Sequence, residues 1–389
     1  MIVKTKSCHC HIEYRVIVTE NINKSFLWRI VINNVFGEIM ANKITLAQGA
    51  GGELMDELIK KHILRFFIKQ ETAEVPLSAL DDAAVIDDIV FSTDSHTVQP
   101  LIFPGGDIGS LAVCGTINDI AMVGGSPLAL SSGLIIEEGF SLDSFETIVK
   151  SMSRMAHKAG VPIVTGDTKV VEKGALQQVM INTSGIGKRS KLLDKNIREV
   201  KRYRKFTNRW LLDSNICSGD ILIISGNIGE HGIALLSFRE GYGFDTSIKS
   251  DIAPLNRLME LLLFEGGIVS AKDPTRGGLA NTVNEWSEKS GVGILLNEEE
   301  IPIPEGVRSA CDMLGIDPFE IGNEGKVVLS VVKEKVDDIL NVLKKHPLGK
   351  HAAIIGEATD AISGVALQTA VGGKRVVHKP LGDPVPRIC

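Results

Sequence analysis

The sequence predicts a two-domain α+β protein. Strand-like and helix-like stretches are mixed in both halves of the chain. Its 389 residues suit two domains at about 150 residues each. Between two stretches of comparable size lies a strongly basic segment.

Taken in order, residues 1–39 hold mixed polar and β-branched residues without a sustained period. Met40 reads as a natural start position, so those residues are either an over-called reading frame or a true extension. The stretch 44–52 ends in glycines, and 53–59 has apolar residues at helical spacing. Strand-like stretches end at 86 and 95. A helix is expected over 109–123, and an amphipathic one over 144–159, stopped by Gly160 and Pro162. Strands are expected over 128–136, 161–164 and 178–184. The second half opens on a buried strand ending in a glycine turn, 219–226. Helices follow over 232–239, 255–264, 278–290 and 335–345, and strands over 293–296 and 326–332. The expected division is therefore an N-terminal extension, 1–43; a first α+β domain, 44–187; a basic insert or linker, 188–215; a second α+β domain, 216–371; and a flexible tail, 372–389.

Composition narrows the function classes. Hydrophobic residues are 44% and charged residues 23%, which excludes a disordered chain, a coiled coil or a disulfide mini-scaffold. With a net charge of -6 there is no overall basic field for nucleic acid. No apolar run reaches the ~18 residues a membrane span needs, and Arg29, Asn33 and Asn34 interrupt the apolar stretch 26–36. The expected compartment is the cytoplasm, where the six cysteines stay reduced. Cys8-His9-Cys10-His11 lacks a second ligand pair at zinc spacing. Residues 188–215 hold ten Lys/Arg against three acids, a segment charge of +7. Such a segment reads as a solvated linker or exposed helix, or as a docking patch for an acidic partner or nucleic acid.

Five Asp- or Gly-bearing motifs, read as turns, carry the chemistry. They are Asp81-Asp82, Thr93-Asp94-Ser95, Asn118-Asp119, Thr165-Gly166-Asp167-Thr168-Lys169 and Asp273-Pro274-Thr275-Arg276-Gly277-Gly278. Mg²⁺ takes hard oxygen ligands and shares them with phosphates. Glycines let the backbone approach phosphate oxygens where a helix N-terminus supplies amide donors, and Gly277-Gly278 opens a helix. Lys169 and Arg276 can neutralise a transferring phosphoryl group. Any one motif is ordinary turn chemistry; together they point to a Mg-nucleotide site. Neither a P-loop nor a Rossmann fingerprint is present.

The set Asp81-Asp82-Ala83-Ala84-Val85, Phe103-Pro104-Gly105-Gly106-Asp107-Ile108-Gly109, Cys114-Gly115-Thr116-Ile117-Asn118-Asp119, Thr165-Gly166-Asp167-Thr168-Lys169 and Asp273-Pro274-Thr275-Arg276-Gly277-Gly278, with the ending Pro386-Arg387-Ile388-Cys389, resembles the HypE family of hydrogenase maturation factors. That family belongs with aminoimidazole ribonucleotide synthetase, selenophosphate synthetase and thiamine-monophosphate kinase. The resemblance covers about residues 44–187 and 216–389; residues 1–39 and the basic insert lie outside it. It implies an aminoimidazole-ribonucleotide-synthetase-like fold, with an N-terminal ATP-binding domain building a dimer-spanning β-barrel and a C-terminal α+β domain. The implied activity is an ATP-dependent carbamoyl dehydratase. It turns an S-carbamoyl group on the terminal cysteine into a thiocyanate, whose cyanide becomes an iron ligand of [NiFe]-hydrogenase.

By the same resemblance the catalytic residues are Cys389, Lys169 and Glu324, the last within Asn323-Glu324-Gly325-Lys326. ATP would be held by Gly51, Gly52, Asp82, Asp94, Asn118, Asp119, Gly166, Asp167, Thr168, Thr275, Arg276, Gly277 and Gly278, and Mg²⁺ by Asp82, Asp94, Asp119 and Asp273. The implied partners are a second copy in a homodimer, a HypF-like carbamoyltransferase that loads Cys389, and a HypC–HypD-type iron-carrying complex that accepts the cyanide, with neither nucleic acid nor membrane. The Gly/Pro-bearing tail is extended, so it can swing between a donor outside and an ATP site inside. His231 is expected to be structural, and Met122 and Met259 to lie in the core.

Two rivals stand beside this reading: a selenophosphate-synthetase-like member, whose reactive residue sits near the N-terminus, and a non-enzymatic assembly scaffold. Because the family-like pattern begins after Met40, a chain starting there is expected to fold and turn over ATP as the full chain does. A drop in melting temperature well beyond ~4 °C would show that the extension packs.

Overall fold

The computed structural model describes residues 2–3, 15–16, 43–67, 73–241, 247–382, 384–385 and 389. Met40, the Cys8–His11 cluster, the 26–36 stretch and Pro386-Arg387-Ile388 lie outside the described residues. Residues 1–46 form one unit and 47–389 another. In the first, β1 (Ile2–Val3) pairs antiparallel with β2 (Arg15–Val16).

The larger unit begins with α1 (Gly52–Ile59) and then builds a five-stranded sheet. Its strands are β3 (Ala84–Ile86), β4 (Ile89–His96), β7 (Gly125–Glu137), β8 (Ile163–Val171) and β9 (Val179–Arg189), in the order β3-β4-β9-β7-β8. A small hairpin, β5 (Ile102–Phe103) with β6 (Gly106–Asp107), leads into α2 (Ile108–Met122). Asp107 caps that helix through the amide of Ser110, and Ser110 returns a bond to the amide of Asp107. Every residue of α2 is buried except Asp119. The reason is its position, since it packs against β4, β9 and α3 (Leu142–Ala159). Gly109 permits the contact with α3, because a Cβ there would stand 2.5 Å from the Ile148 carbonyl oxygen. The opposite face of the sheet is open. Phe91, Ile186 and Ala129 lie in register across β4, β9 and β7, and Ile89, Phe91, Ile135 and Ile186 are exposed.

A seven-stranded sheet follows: β10 (Ile221–Ile224), β11 (Ile268–Lys272), β12 (Gly293–Asn297), β13 (Val328–Val331), β14 (Ala353–Thr359), β15 (Val365–Gln368) and β16 (Lys374–Val376). The order is β11-β13-β10-β14-β12-β15-β16, antiparallel except for the β12–β15 pair. Its strands alternate between two cores. Leu222, Ile224 and Val328 pack with Leu279, Val283 and Trp286 of α7 (Gly278–Ser290). Ile223, Leu329 and Val331 pack with α6 (Asn256–Glu265), α9 (Val336–Lys345) and, from the first sheet and α2, Val85, Val90 and Ile120. One apolar core therefore joins the two sheets. The remaining α-helices of eight residues or more among the described residues are α4 (Lys191–Tyr203), α5 (Glu230–Glu240) and α8 (Glu305–Leu314). Among the described residues no helix is long and apolar enough to cross a membrane.

The helices and strands expected from sequence are present, β11, α8 and β14–β16 come in addition to them, and two readings differ. Of the five motifs read as turns, Thr93-Asp94-Ser95 lies within β4, Asn118-Asp119 within α2 and Thr165–Lys169 within β8. Strand alternation and helix burial set those side chains, not turn chemistry. The basic insert is the second difference. Over 191–203 it folds as α4, with Leu193, Ile197 and Val200 buried, and four of its ten Lys/Arg are ion-paired: Arg189 with Asp194, Arg202 with Glu199, Arg204 with Asp220, and Arg209 with Glu74 and Asp88. Buried Asn196 stands in for a neighbouring strand. Its amide donates to the Ile268 carbonyl (2.7 Å) and accepts from the Ile268 N–H (2.8 Å) at the edge strand β11. Asn196→Ala is expected to cost about 1–3 kcal/mol by leaving buried backbone groups unpaired. Urea unfolding checks this; an unchanged midpoint would show the edge satisfied by other means.

Candidate active site

A cavity of about 440 Å³ gathers segments from both sheets. The N-terminus of α1 contributes Gly51 and Gly52, the approach to β3 contributes Asp81 and Asp82, β4 contributes residues 92–96, and α2 contributes Gly115 and Asp119. From the second sheet come Lys272 and Asp273 with the turn to α7, including Thr275 and Arg276. Glu324 and Cys389 complete the wall.

Strand parity places the acids. Ser92, Asp94 and His96 share the face of β4 that meets α2. Thr116 donates to Asp94 (3.0 Å) and Ser92 to Asp119 (2.6 Å). Asp82 is held by the Lys272 ammonium at 2.6 Å, and Lys272 also contacts Asp213 and Glu285, each at 3.2 Å. Asp213 accepts from Trp286 and Lys289, so the Asp81-Asp82 bend is tied to α7. Burial and mutual repulsion act on these carboxyls. Asp119 is pushed well above the usual range by burial, then by Asp94, Asp273 and Asp82. Burial, with Asp82, raises Asp273 to about 8. Burial raises Asp82 to about 6 against the pull of Lys272, and raises Asp81 to about 7 with help from Asp213. Among the described residues no three His, Cys, Asp or Glu groups already converge as a metal cage. Hard carboxylates crowded against one another still fit a dication whose remaining ligands come from phosphate.

Glu324 is 3% exposed, and its Oε1 has no hydrogen-bond partner. Burial first, then Asp273 and Asp251, hold its carboxyl well above the carboxylate range, with Arg276 opposing. Arg276 is kept charged first by the negative charge at Cys389 and, against burial, by Asp94, Glu324 and Asp119. Cys389 is half-buried, accepts a hydrogen bond from the Thr97 N–H through its carbonyl oxygen (3.2 Å), and packs against the α2 core. The chain leading to it is anchored. Val377 donates to the Val365 carbonyl, Lys379 pairs with Asp56 and Glu288, and the Glu53 N–H donates to the Pro380 carbonyl. Gly52, at φ +75°, is needed there, because a Cβ would lie 1.9 Å from that carbonyl oxygen.

Of the residues expected from sequence, the cavity gathers Gly51, Gly52, Asp82, Asp94, Asp119, Asp273, Thr275, Arg276, Glu324 and Cys389. Gly277 and Gly278 sit behind Arg276 at the start of α7; a Cβ on Gly278 would strike the Ile321 and Phe319 carbonyls. Asn118 turns away from the cavity. Its amide bridges the Ala253 carbonyl and the Leu255 N–H. Gly166, Asp167, Thr168 and Lys169 lie on exposed β8, outside the cavity of the single chain. The register explains this: Ser95, Asn182, Gly133 and Asp167 form one row, so three strand spacings of ~4.8 Å put Asp167 about 14 Å across the open face from Ser95. His231 is fully buried against Ser250, and Met122 and Met259 are in the core.

Sequence reading missed His96. It is 5% exposed, burial lowers it to about 4, and neither ring nitrogen has a hydrogen-bond partner. Its two-residue offset from Asp94 was the available signal.

The raised carboxyls set a pH response. Folded Asp82, Asp81 and Asp273 keep protons that the unfolded chain releases near pH 4. Stability without ligand should therefore fall as pH rises from about 4 to 8. Asp273→Asn should flatten the upper part of that slope in melting-temperature profiles. An equal slope in the variant would place the protons elsewhere.

Comparison with known proteins matches this architecture. Residues 80–188 match the N-terminal domain, and 218–366 the C-terminal domain, of the AIR synthase related proteins. A putative hydrogenase expression/formation protein of Methanocaldococcus jannaschii is 50% identical over 353 residues, 89% of this chain and all of that one. Carbamoyl dehydratase HypE of Escherichia coli is 40% identical over 352 residues, 90% of this chain and all of the relative. Among solved structures, HypE in a HypE–HypF complex superposes with a TM-score of 0.75 at 46% identity, covering 83% of this chain and 99% of that chain. HypE in complex with ATP superposes at 0.70 and 40% identity, covering 89% and 100%. With sequence, fold and cavity in agreement, this chain belongs to the carbamoyl dehydratase HypE family of AIR synthase related proteins.

Proposed function

We propose that this chain uses ATP to dehydrate a carbamoyl group carried on its own Cys389, giving a thiocyanate whose cyanide goes to the iron of [NiFe]-hydrogenase. The observation that carries the reading is one cavity lined by Cys389, Glu324, Arg276 and the acidic cluster. The names of the relatives and the HypE–ATP complex point the same way.

The carboxamide oxygen is a poor leaving group until it is phosphorylated, and the nitrogen must give up both protons. Glu324, acting in its ionised form, takes the first nitrogen proton as the oxygen is phosphorylated, and the second leaves with the phosphate as hydrogen phosphate; its Oε1 is unpartnered, and burial raises the carboxyl's affinity for that proton. Arg276 lies in the charge field of both Cys389 and Glu324, where it orients the carbamoyl and phosphoryl oxygens. Gly51, Gly52 and Thr275 line the phosphate approach, and Gly277 and Gly278 shape the turn behind Arg276. Asp82, Asp94, Asp119 and Asp273 would hold Mg²⁺, which when bound offsets phosphate charge. Asn118 supports that wall from behind.

Lys169 completes the site in a homodimer. The exposed apolar face bearing Phe91, Ile135 and Ile186 is the surface we assign to a second copy, whose sheet closes a barrel against it. That closure brings β8, with Gly166, Asp167, Thr168 and Lys169, to the partner's ATP site. A HypF-like carbamoyltransferase loads Cys389, a HypC–HypD-type complex accepts the cyanide, and the cycle runs in the cytoplasm. The domains divide at 187/188 and 215/216; the expected flexible tail from 372 is anchored through β16, Lys379 and Pro380, so only the chain beyond Pro380 is left to deliver the thiol.

The test is mass spectrometry of the C-terminal peptide after incubation with a carbamoyl donor enzyme and ATP. Carbamoylated Cys389 should lose one water. Cys389→Ala should abolish loading, and Glu324→Gln should bind ATP normally yet accumulate carbamoyl-Cys389. Thiocyanate formed at the wild-type rate by Glu324→Gln would remove Glu324 as base.

A further inference from the structure

Glu324 sits in a loop between α8 and β13, where its carbonyl accepts long hydrogen bonds from Asn118 of α2 and the Ala253 N–H, each at 3.5 Å. A base acting on one nitrogen needs a fixed position, since about 1 Å of displacement can cost ~100-fold in rate. A second carboxylate supplies the fixing. Asp251, whose side chain is 2% exposed, accepts from the Glu324 N–H through Oδ1 (3.0 Å) and from the Gly325 N–H through Oδ2 (3.3 Å). Its Oδ2 also meets the Lys326 ammonium at 3.0 Å, and Lys326 is shared with Glu230 at 3.4 Å. Three consecutive residues thus converge on one carboxylate. The loop also presses on the backbone beside it: a Cβ at Gly325 would stand 1.9 Å from the Asp251 carbonyl oxygen.

We propose that Asp251 is a positioning residue for Glu324, holding the Glu324–Lys326 backbone so that the carboxyl faces Cys389 in the cavity. The inference rests on the reading of Glu324 as the base. Two further features fit it. Ser250, next in the chain, bonds His231 on α5 at 2.8 Å, and its N–H donates to the Pro104 carbonyl, so Asp251 is anchored from two sides. The negative charge of Asp251 also adds to burial and Asp273 in keeping Glu324 above the carboxylate range. Asp251 itself is held below that range, against burial, by Lys326 and then His231. It therefore stays an acceptor for both amides. Asp251 lies outside the cavity lining, so it acts through Glu324 rather than on the carbamoyl group.

A double-mutant cycle tests this, with carbamoylated full-length protein, ATP, and single-turnover conversion to thiocyanate followed by mass spectrometry. Asp251→Asn should slow conversion roughly 10–100-fold, while the ATP concentration for half-maximal rate changes by less than about twofold. Added to Glu324→Gln, it should cost nothing more, because both changes act through one group. A wild-type rate for Asp251→Asn, or a full further loss in the Glu324→Gln background, would overturn the inference while leaving Glu324 as base. A wild-type rate for Glu324→Gln would instead remove the base assignment and this inference together. If Asp251→Asn fails to fold, Lys326→Gln enters the same cycle. A loss that vanishes in the Glu324→Gln background supports the inference, and an additive loss overturns it.

Discussion

The ion cluster around Lys272 holds the two halves of the active site in one register. Lys272, at the end of β11, meets Asp82 from the first sheet, Asp213 from the connecting segment and Glu285 from α7. Lys289 and Trp286 close the network on Asp213. Lys272 and Asp213 are buried, while Asp82, Glu285 and Lys289 are half-buried around them; removing one partner of a buried pair such as Lys272–Asp213 typically costs about 3–5 kcal/mol. The apolar core that runs between the sheets brings them together without direction, whereas this network sets where the Asp81-Asp82 bend stands against the Asp273 turn.

The same arrangement leaves the cavity short of positive charge. Lys272 faces Asp82, and Arg276 faces Cys389, Asp94 and Glu324, while Asp119 and Asp273 keep protons instead. An acidic pocket of this kind is a poor host for a bare polyphosphate and a good one for a phosphate accompanied by a dication. A dication held there, as proposed above, would offset the repulsion among the crowded carboxyls.

How much of this was legible in the sequence varies with the physics involved. Helices such as Gly278–Ser290 follow from apolar spacing and terminal glycines. The acids of the cavity were found as motifs, but their setting was misread: Asp94 and Asp167 looked like turn residues, yet both lie in strands. An aspartate's local context carries no record of the sheet order that separates β4 from β8. The basic insert misled for a related reason, since partners such as Glu74 and Asp220 are remote in sequence or belong to another element. His96 and Asp251 went unread because the burial of the one and the backbone contacts of the other arise only in the fold.

The anchoring of Pro380 against Gly52 and Glu53 has a geometric consequence. Nine residue steps separate Pro380 from Cys389, so with that anchor in place the thiol can travel no farther than about 30 Å from it. The sulfur is therefore on a short leash. On the function proposed above, an enzyme that loads Cys389 would have to come within that radius, and the group it left would meet the cavity at a local concentration in the millimolar range, independent of how dilute the protein is.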